Sequence, residues 1–132
     1  MIVAVDSSAL IAIFKEERTG AAWLDFLLQL RSQHQLIACD VVWSEVAPFF
    51  PSLRTLQQNM TALGVGFSPL DEAATFAAGR LFASYRKGGG PRGRMIPDIM
   101  IAAHALRHEA RLATADDDFM KARFPRLKIL QP

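Results

Sequence analysis

The first nine residues constrain the fold more than any other stretch of the chain. They read MIVAVDSSA, an unbroken apolar run over Ile2–Val5 followed by Asp6 and two serines. Such a run is typical of a parallel strand that is covered on both faces. Ser7 or Ser8 can then cap a helix that opens at Ala9. Because ligands of open α/β sheets bind beyond the carboxyl ends of the strands, Asp6 is either a capping residue or a carboxylate facing a ligand.

Length and composition indicate a single globular domain over residues 1–132. The chain has 51% hydrophobic and 21% charged residues, and its longest apolar runs are too short to span a membrane. The first strand is predicted to begin at Met1, and we therefore expect no signal or transit peptide. Cys39 is the only cysteine, so an internal disulfide and a cysteine cluster for zinc are excluded. We therefore expect a cytoplasmic protein with no membrane association.

Short apolar runs alternate with longer amphipathic segments along the chain. After the first strand, the runs at 36–39, 65–67, 111–114 and 127–130 are predicted strands. The predicted helices cover 8–17, 21–31, 41–47, 52–63, 70–87, 98–108 and 119–123. Asp40 is a candidate N-cap, Pro48 should end the helix before it, and Ala73, Phe76, Ala77, Leu81 and Tyr85 should form the inner face of the longest helix. This alternation predicts a three-layer α/β domain with a parallel sheet.

Four of the thirteen acidic residues occupy positions that are not typical of ordinary surface charges. Asp6 and Asp116 follow the first and fourth strands, so parallel strands would bring them to the same edge. Asp98 lies in the first turn of a helix whose small residue Ala102 shares its face. Glu45 lies among apolar residues one turn into a helix, where an unpaired buried charge is costly. These acids are expected to converge.

Converging carboxylates repel one another unless a cation lies between them. A ligand set of Asp and Glu oxygens suits Mg²⁺ or Mn²⁺ rather than zinc. A water molecule held by such an ion can be deprotonated to attack phosphorus, and the ion can stabilise the leaving oxygen. The pattern therefore favours phosphodiester hydrolysis. His104 and His108 have the spacing of a metal-binding pair, but His104 is about 240° around the helix from Asp98, and we expect packing or surface histidines.

Four stretches carry a resemblance to a known family: VDSSALIAIF at the start, SEV around Glu45, PDIMIAAHAL at 97–106 and LATADDDF at 112–119. Through them the chain resembles the PIN-domain ribonucleases, most closely the VapC-type toxins of VapBC toxin–antitoxin pairs, over almost its whole length. The resemblance implies an α/β/α PIN-like fold with about five parallel strands and an Mg²⁺- or Mn²⁺-dependent endoribonuclease. It also implies a cognate antitoxin lying across the active-site groove, and a homodimer.

The resemblance also implies roles for individual residues. The four acids of the site, as catalytic residues and metal ligands, would be Asp6, Glu45, Asp98 and Asp116. The triple aspartate leaves open which of residues 116–118 contacts the metal, with Asp118 the expected supporting or capping residue. Ser7 and Thr114 match positions where the family often has hydroxyls that bind metal-bound water or a carboxylate. Pro48, close behind Glu45, and His104 depart from the family pattern.

A segment rich in cations precedes Asp98. No acid occurs between Ala73 and Pro97, and Arg92 and Arg94 stand at the end of that segment. Phosphate contacts position a nucleic acid without reading its sequence, so we predict that these two arginines contact RNA. The alternatives are a solvated loop and a contact with acidic residues of an antitoxin.

The sequence thus predicts a metal-dependent ribonuclease, with two rival functions. One rival is a catalytically silent PIN-like module that binds RNA or a protein partner. The other is a phosphatase with Asp6 as nucleophile, although Ser8 occupies the position where that chemistry usually has a second acid.

Overall fold

The computed structural model describes residues 1–89 and 95–132. Within them, five parallel strands form one sheet in the order β3-β2-β1-β4-β5. The strands are β1 (Ile2–Val5), β2 (Gln35–Ala38), β3 (Val65–Phe67), β4 (Arg111–Ala113) and β5 (Ile129–Leu130). Each coincides with a predicted apolar run, which confirms the parallel sheet.

Helices connect successive strands and cover the sheet as a three-layer α/β/α domain. They are α1 (Ser7–Phe14), α2 (Gly20–Arg31), α3 (Asp40–Val46), α4 (Leu53–Leu63), α5 (Glu72–Lys87), α6 (Met95–Arg107) and α7 (Asp117–Arg123). The chain winds from β1 outward to β3 and then returns to place β4 on the other side of β1. The reversal creates a topological switch point between β1 and β4, where open α/β sheets bind their ligands.

The middle strand β1 lies at the centre of the core. Val3, Ala4 and Val5 are each at most 2% exposed, as the unbroken apolar run predicted. Leu10 of α1 and Ile99 of α6 are equally buried and belong to the same hydrophobic cluster. The carboxyl end of β1 is therefore anchored in a rigid core.

The ends of α3 and α4 follow from local chemistry. Pro48 lies in a 3₁₀ turn (Ala47–Phe49) directly after α3, where the sequence predicted that the helix would end. The Ser52 hydroxyl accepts from the Thr55 N–H in a capping box at the start of α4. Gly64 ends the helix at φ 76°, in the left-handed region that favours glycine.

Three details of the helices differ from prediction. Helix α1 begins at Ser7 with Asp6 in the N-cap position, so neither Ser7 nor Ser8 caps it. Cys39, not Asp40, is the N-cap of α3, and Asp40 Oδ1 instead accepts from the N–H groups of Val41 (3.2 Å) and Leu70 (3.3 Å). The carboxylate thus ties the start of α3 to the segment after β3. Helix α6 begins at Met95, three residues before the predicted start at 98, and Pro97 lies in its first turn.

The predicted inner face of α5 was wrong in its first turns, whereas Leu81 and Tyr85 are half-buried against the core as predicted. Ala74 and Ala78 are buried, whereas Phe76 is 66% exposed. Helix α5 packs along α6, and small alanine side chains allow that close approach. The periodicity of the bulkier apolar residues therefore pointed to the wrong side of the helix in these turns.

Within residues 1–89 and 95–132, none of the helices has the length and apolar character that crossing a membrane requires.

Candidate active site

Asp6 lies at the switch point of the sheet. It directly follows β1, and its backbone N–H donates to the Ala113 carbonyl of β4 over 2.9 Å. Its side chain is only 3% exposed although it carries a carboxylate. Buried carboxylates require partners, so the surroundings of the two carboxylate oxygens define what this site can do.

One oxygen of Asp6 is held by two hydroxyl groups. Ser8 Oγ donates to Asp6 Oδ2 over 2.6 Å, and Thr114 Oγ1 donates to the same oxygen over 2.8 Å. Each hydroxyl has one proton, and both protons are used in these bonds, so the 3.2 Å contact between the two hydroxyls is a consequence of their shared acceptor. The carboxylate of Asp6 is therefore fixed in orientation.

The other oxygen of Asp6 has no such partner. Oδ1 is buried and accepts no hydrogen bond from the described part of the chain. An unsatisfied buried acceptor costs about 1–3 kcal/mol, and more when it is charged. A bound cation would satisfy this oxygen, and a hard cation such as Mg²⁺ or Mn²⁺ matches its chemistry. The Asp6 carboxylate thus fits a metal ligand.

The backbone after β4 folds onto the same hydroxyls. The Asp116 N–H donates to Thr114 Oγ1 and the Ala115 N–H donates to Ser8 Oγ, each over 3.0 Å. Asp116 is the N-cap of α7, and its carboxylate is exposed next to this network. The predicted proximity of the residues that follow β1 and β4 is confirmed.

The three consecutive aspartates have different surroundings. Asp117 forms an ion pair with Lys121 of the same helix over 3.3 Å, and this hydrogen bond lowers the pKa of Asp117. Asp118 is exposed in the first turn of α7. Because Lys121 engages Asp117, Asp116 and Asp118 are better candidates for the metal side. The assignment of Asp116 as ligand and Asp118 as support stays a prediction.

Glu45 is connected to the site through α1. It is half-buried on α3, and its Oε1 accepts from Ser7 Oγ over 3.0 Å. Ser7 is the residue after Asp6, so this hydrogen bond connects Glu45 of α3 to the start of α1, one residue beyond Asp6. The 3₁₀ turn at Pro48 begins only after α3 has ended at Val46, and it leaves this hydrogen bond in place.

Asp98 lies in the first turn of α6. It is half-buried, and Ala102 and Ala105, which share its face, are fully buried. Helix α6 packs against β4 and α3, the elements that position Thr114 and Glu45. The hydrogen bonds described above connect Asp6 with Glu45 and Asp116 but do not include Asp98.

The acids do not form a ready-made metal cage. Throughout the described ranges, no three His, Cys, Asp or Glu side chains are grouped closely enough to hold a metal ion. The site therefore consists of one fixed buried carboxylate with further acids around it. The predicted RNA-binding residues Arg92 and Arg94 lie outside the described residues, and their role stays a prediction.

His104 is a packing residue. It is 1% exposed, and its Nε2 forms a 2.9 Å hydrogen bond with Ser68 Oγ. Burial is the main cause that lowers the pKa of His104 to about 4, so the ring is neutral near pH 7. It lies against the ring of His108 at 4.7 Å and ties α6 to the segment after β3. The expectation of packing histidines agrees with this structure.

The role of Ser8 does not follow from the sequence patterns above. They predict Ser8 only as a possible helix cap or as the position of a missing second acid. In the structure Ser8 orients Asp6 and also accepts from the chain after β4. The available signal was the spacing D-x-S at the end of a strand, since a serine in the first turn of a helix can reach back to the residue before it. The burial of Asp6 also argues against its use as an exposed phosphatase nucleophile.

Comparisons with known proteins agree with this architecture. The sequence profile of the PIN domain matches residues 3–125. The structure is similar to VapBC2 from Rickettsia felis bound to a promoter DNA fragment, with a TM-score of 0.77, 18% identity, and coverage of 99% of this chain and 98% of that one. It is similar to VapBC-1 from nontypeable Haemophilus influenzae at a TM-score of 0.75 and 21% identity, with the same coverage of the two chains.

A more distant similarity is to VapBC-5 from Mycobacterium tuberculosis, a member of the VapBC family of toxin–antitoxin systems. The TM-score is 0.58 at 20% identity, and 98% of this chain and 96% of that one are covered. No significant match is found among curated proteins. At these identities the structural similarities establish the fold, and the profile match extends over nearly the whole chain. The chain belongs to the PIN domain family.

Proposed function

We propose that this protein is a Mg²⁺- or Mn²⁺-dependent endoribonuclease that hydrolyses RNA phosphodiester bonds, and that it is the toxin of a type II toxin–antitoxin pair. One observation carries the proposal. A buried carboxylate at the switch point of a PIN domain has one oxygen fixed by two hydroxyls, while its other oxygen accepts no hydrogen bond from the described residues. Such an oxygen is suited to bind a hard cation.

The metal would be held by Asp6 together with Asp98 and Asp116, directly or through water, and Glu45 would complete the pocket. When bound, the ion supplies an activated water and neutralises charge that develops on the phosphate. Without a cation between them, these acids would repel one another. Binding would draw the carboxylates toward Asp6, which the core holds in place.

The chain's own groups prepare this pocket. Ser8 and Thr114 hold Asp6 Oδ2 and so turn Oδ1 toward the ligand side. Ser7 fixes Oε1 of Glu45, which places that half-buried carboxylate where it could orient the attacking water or accept its proton. Hydrogen bonds of this kind around a metal site commonly affect metal affinity or activity by 10–100-fold.

The proposal that the protein is a toxin rests on the similarity of the whole chain to chains of VapBC complexes. The similar structures are VapBC complexes, and the alignment covers 98% of the matched chains from Rickettsia felis and Haemophilus influenzae. We infer that the partner is a cognate antitoxin and that the chain acts in the cytoplasm as a homodimer on an RNA substrate. The open reading frame next to its own would then encode a small antitoxin.

Cleavage assays on the free chain test the proposal. We expect Mn²⁺ to support cleavage of a mixed RNA substrate, EDTA to stop it, and Asp98→Asn to abolish it with an unchanged circular dichroism spectrum. Asp25→Asn is the matched control, because Asp25 is exposed on α2 and should tolerate the same change. Full activity of the Asp98 variant would refute its assignment. RNA binding without cleavage in every metal would instead support the silent-module alternative.

A further inference from the structure

A positively charged cleft lies at the edge of the sheet opposite the proposed active site. It has a volume of about 560 Å³ and lies at the amino ends of the strands. Its lining includes Ile2 at the start of β1, Arg111 at the start of β4 and Lys128 just before β5. The same pair of strands, β1 and β4, carries Asp6 and Thr114 at its other end.

The cleft is strongly basic for a nearly neutral protein. Its charged lining consists of Arg111, Arg126 and Lys128 with Glu109 as the single acid, a formal net charge of +2. The whole chain also has a formal net charge of +2. The formal charge of this cleft thus equals that of the whole chain.

These cations are not neutralised by neighbouring acids. In the part of the chain that the structure describes, ion pairs join Arg107 to Asp71 (3.2 Å) and Lys121 to Asp117 (3.3 Å), and neither pair includes a cation of the cleft. Unpaired arginines can bind phosphate oxygens in a bidentate fork, and a lysine adds a point charge. A concave, unpaired basic surface is suited to the phosphates of a nucleic acid.

The position of the cleft limits which RNA could contact both edges. Ile2 and Asp6 are four residues apart along an extended chain, a separation of about 13 Å. Helices cover the faces of the sheet, so RNA bound at Asp6 must also pass around a helical layer before it meets Arg126 or Lys128. A folded RNA with backbone on two sides of the protein satisfies this geometry, and a single strand of a few nucleotides that lies along one edge does not.

We propose that this cleft binds backbone phosphates of the RNA substrate at a distance from the cleaved bond, and that the protein thereby prefers folded RNA to short single strands. This inference rests on the proposed ribonuclease function. The cleft supplies affinity and position, since phosphate contacts carry no sequence information of their own.

Salt-dependent RNA binding tests the cleft without requiring cleavage. The probe is a folded RNA, bound in EDTA to full-length chain carrying Arg126→Gln and Lys128→Gln. Loss of two phosphate contacts should reduce the slope of log K against log salt by about 1.5. The control carries Lys15→Gln and Arg80→Gln, which removes one lysine and one arginine from exposed positions outside the cleft. An unchanged slope, or an equal loss in the control, would overturn the proposal.

A second measurement separates this inference from the proposed function. In Mn²⁺, the cleft variant should lower kcat/KM for the folded RNA by at least about fivefold relative to kcat/KM for a hexanucleotide. Equal effects on both substrates would overturn the preference for folded RNA. If the unaltered chain cleaves neither substrate, the ribonuclease proposal fails, while the salt slope still reports whether the cleft binds RNA.

Discussion

The two edges of the same sheet carry opposite charges and are built in different ways. At the carboxyl edge, Asp6 is 3% exposed and is fixed by hydroxyls from α1 and from the chain after β4. At the amino edge, Arg126 and Lys128 are exposed and have no ion pair within the described ranges. The first edge holds a carboxylate in a fixed orientation, with one oxygen that accepts no hydrogen bond from the described residues. The second edge is a surface of exposed cations. Their difference suggests that chemistry belongs to one edge and long-range attraction to the other.

Removal of the Asp6 charge should have the largest effect. Asp6→Asn keeps an oxygen that can accept from Ser8 and Thr114, so the metal-free protein should not lose stability. It removes the negative charge that attracts the cation, and we expect at least a 100-fold loss of cleavage, the upper end of the effect of supporting residues around metals. Mn²⁺ should raise the Tm of the unaltered chain and not that of the variant. An equal rise in both proteins would place the cation elsewhere.

Crystals soaked in Mn²⁺ would sharpen the same comparison. The anomalous peak should lie about 2.0–2.2 Å from Asp6 Oδ1, the oxygen that accepts no hydrogen bond from the described residues, and not from Oδ2. Asp98 and Asp116 should approach this peak. A peak at Oδ2, or one at the amino edge, would contradict the division between the two edges.

Removal of the Thr114 hydroxyl should have the next largest effect. Thr114→Val keeps the shape of the side chain but leaves the buried Asp6 carboxylate with one donor fewer, which should cost about 1–3 kcal/mol of unfolding free energy. Metal affinity measured by calorimetry should fall by 10–100-fold. Thr75→Val is the control, because Thr75 is exposed and bonds only to a backbone carbonyl of its own helix. Similar losses in both variants would argue against a special role for Thr114.

Most of the fold could be predicted from the sequence, because each strand is a short apolar run and Asp6 and Asp116 directly follow two of these runs. Parallel pairing then brings both residues to one edge without further information. The inner face of α5 could not be predicted this way, since its close packing on α6 uses Ala74 and Ala78 and leaves Phe76 exposed. A count of apolar residues cannot show which side of a helix has room only for small ones.

The basic cleft was also missed, for a different reason. Arg111, Arg126 and Lys128 come from separate segments, and no motif or spacing links them. Only the order of the strands brings the starts of β1, β4 and β5 together. The four acids could be proposed as a site because the sequence places each of them at the end of a strand or in a recognisable motif.

The neutral His104 should give the chain a moderate dependence of stability on pH. Its pKa is about 4 in the folded protein, below the ordinary value of 6.5, so the unfolded state binds more protons between these values. Stability is therefore highest above about pH 6.5 and is lost as the pH falls toward 4, with a loss of about 2 kcal/mol at pH 5. Urea unfolding at pH 7 and pH 5 should show a smaller difference for His104→Gln, which can keep a hydrogen bond to Ser68. The same pH difference in both proteins would assign it to other groups.

The smallest expected effect concerns the mutual repulsion of the cleft cations. If Arg111, Arg126 and Lys128 repel one another, Arg126→Gln with Lys128→Gln should raise the Tm by roughly 1–2 °C at low salt. The rise should disappear near 1 M salt, where the Debye length is about 3 Å. Lys15→Gln with Arg80→Gln changes the net charge equally and should raise the Tm less. An equal rise would mean that net charge alone matters, and the amino edge would then have no concentrated charge to contrast with the buried carboxylate of the other edge.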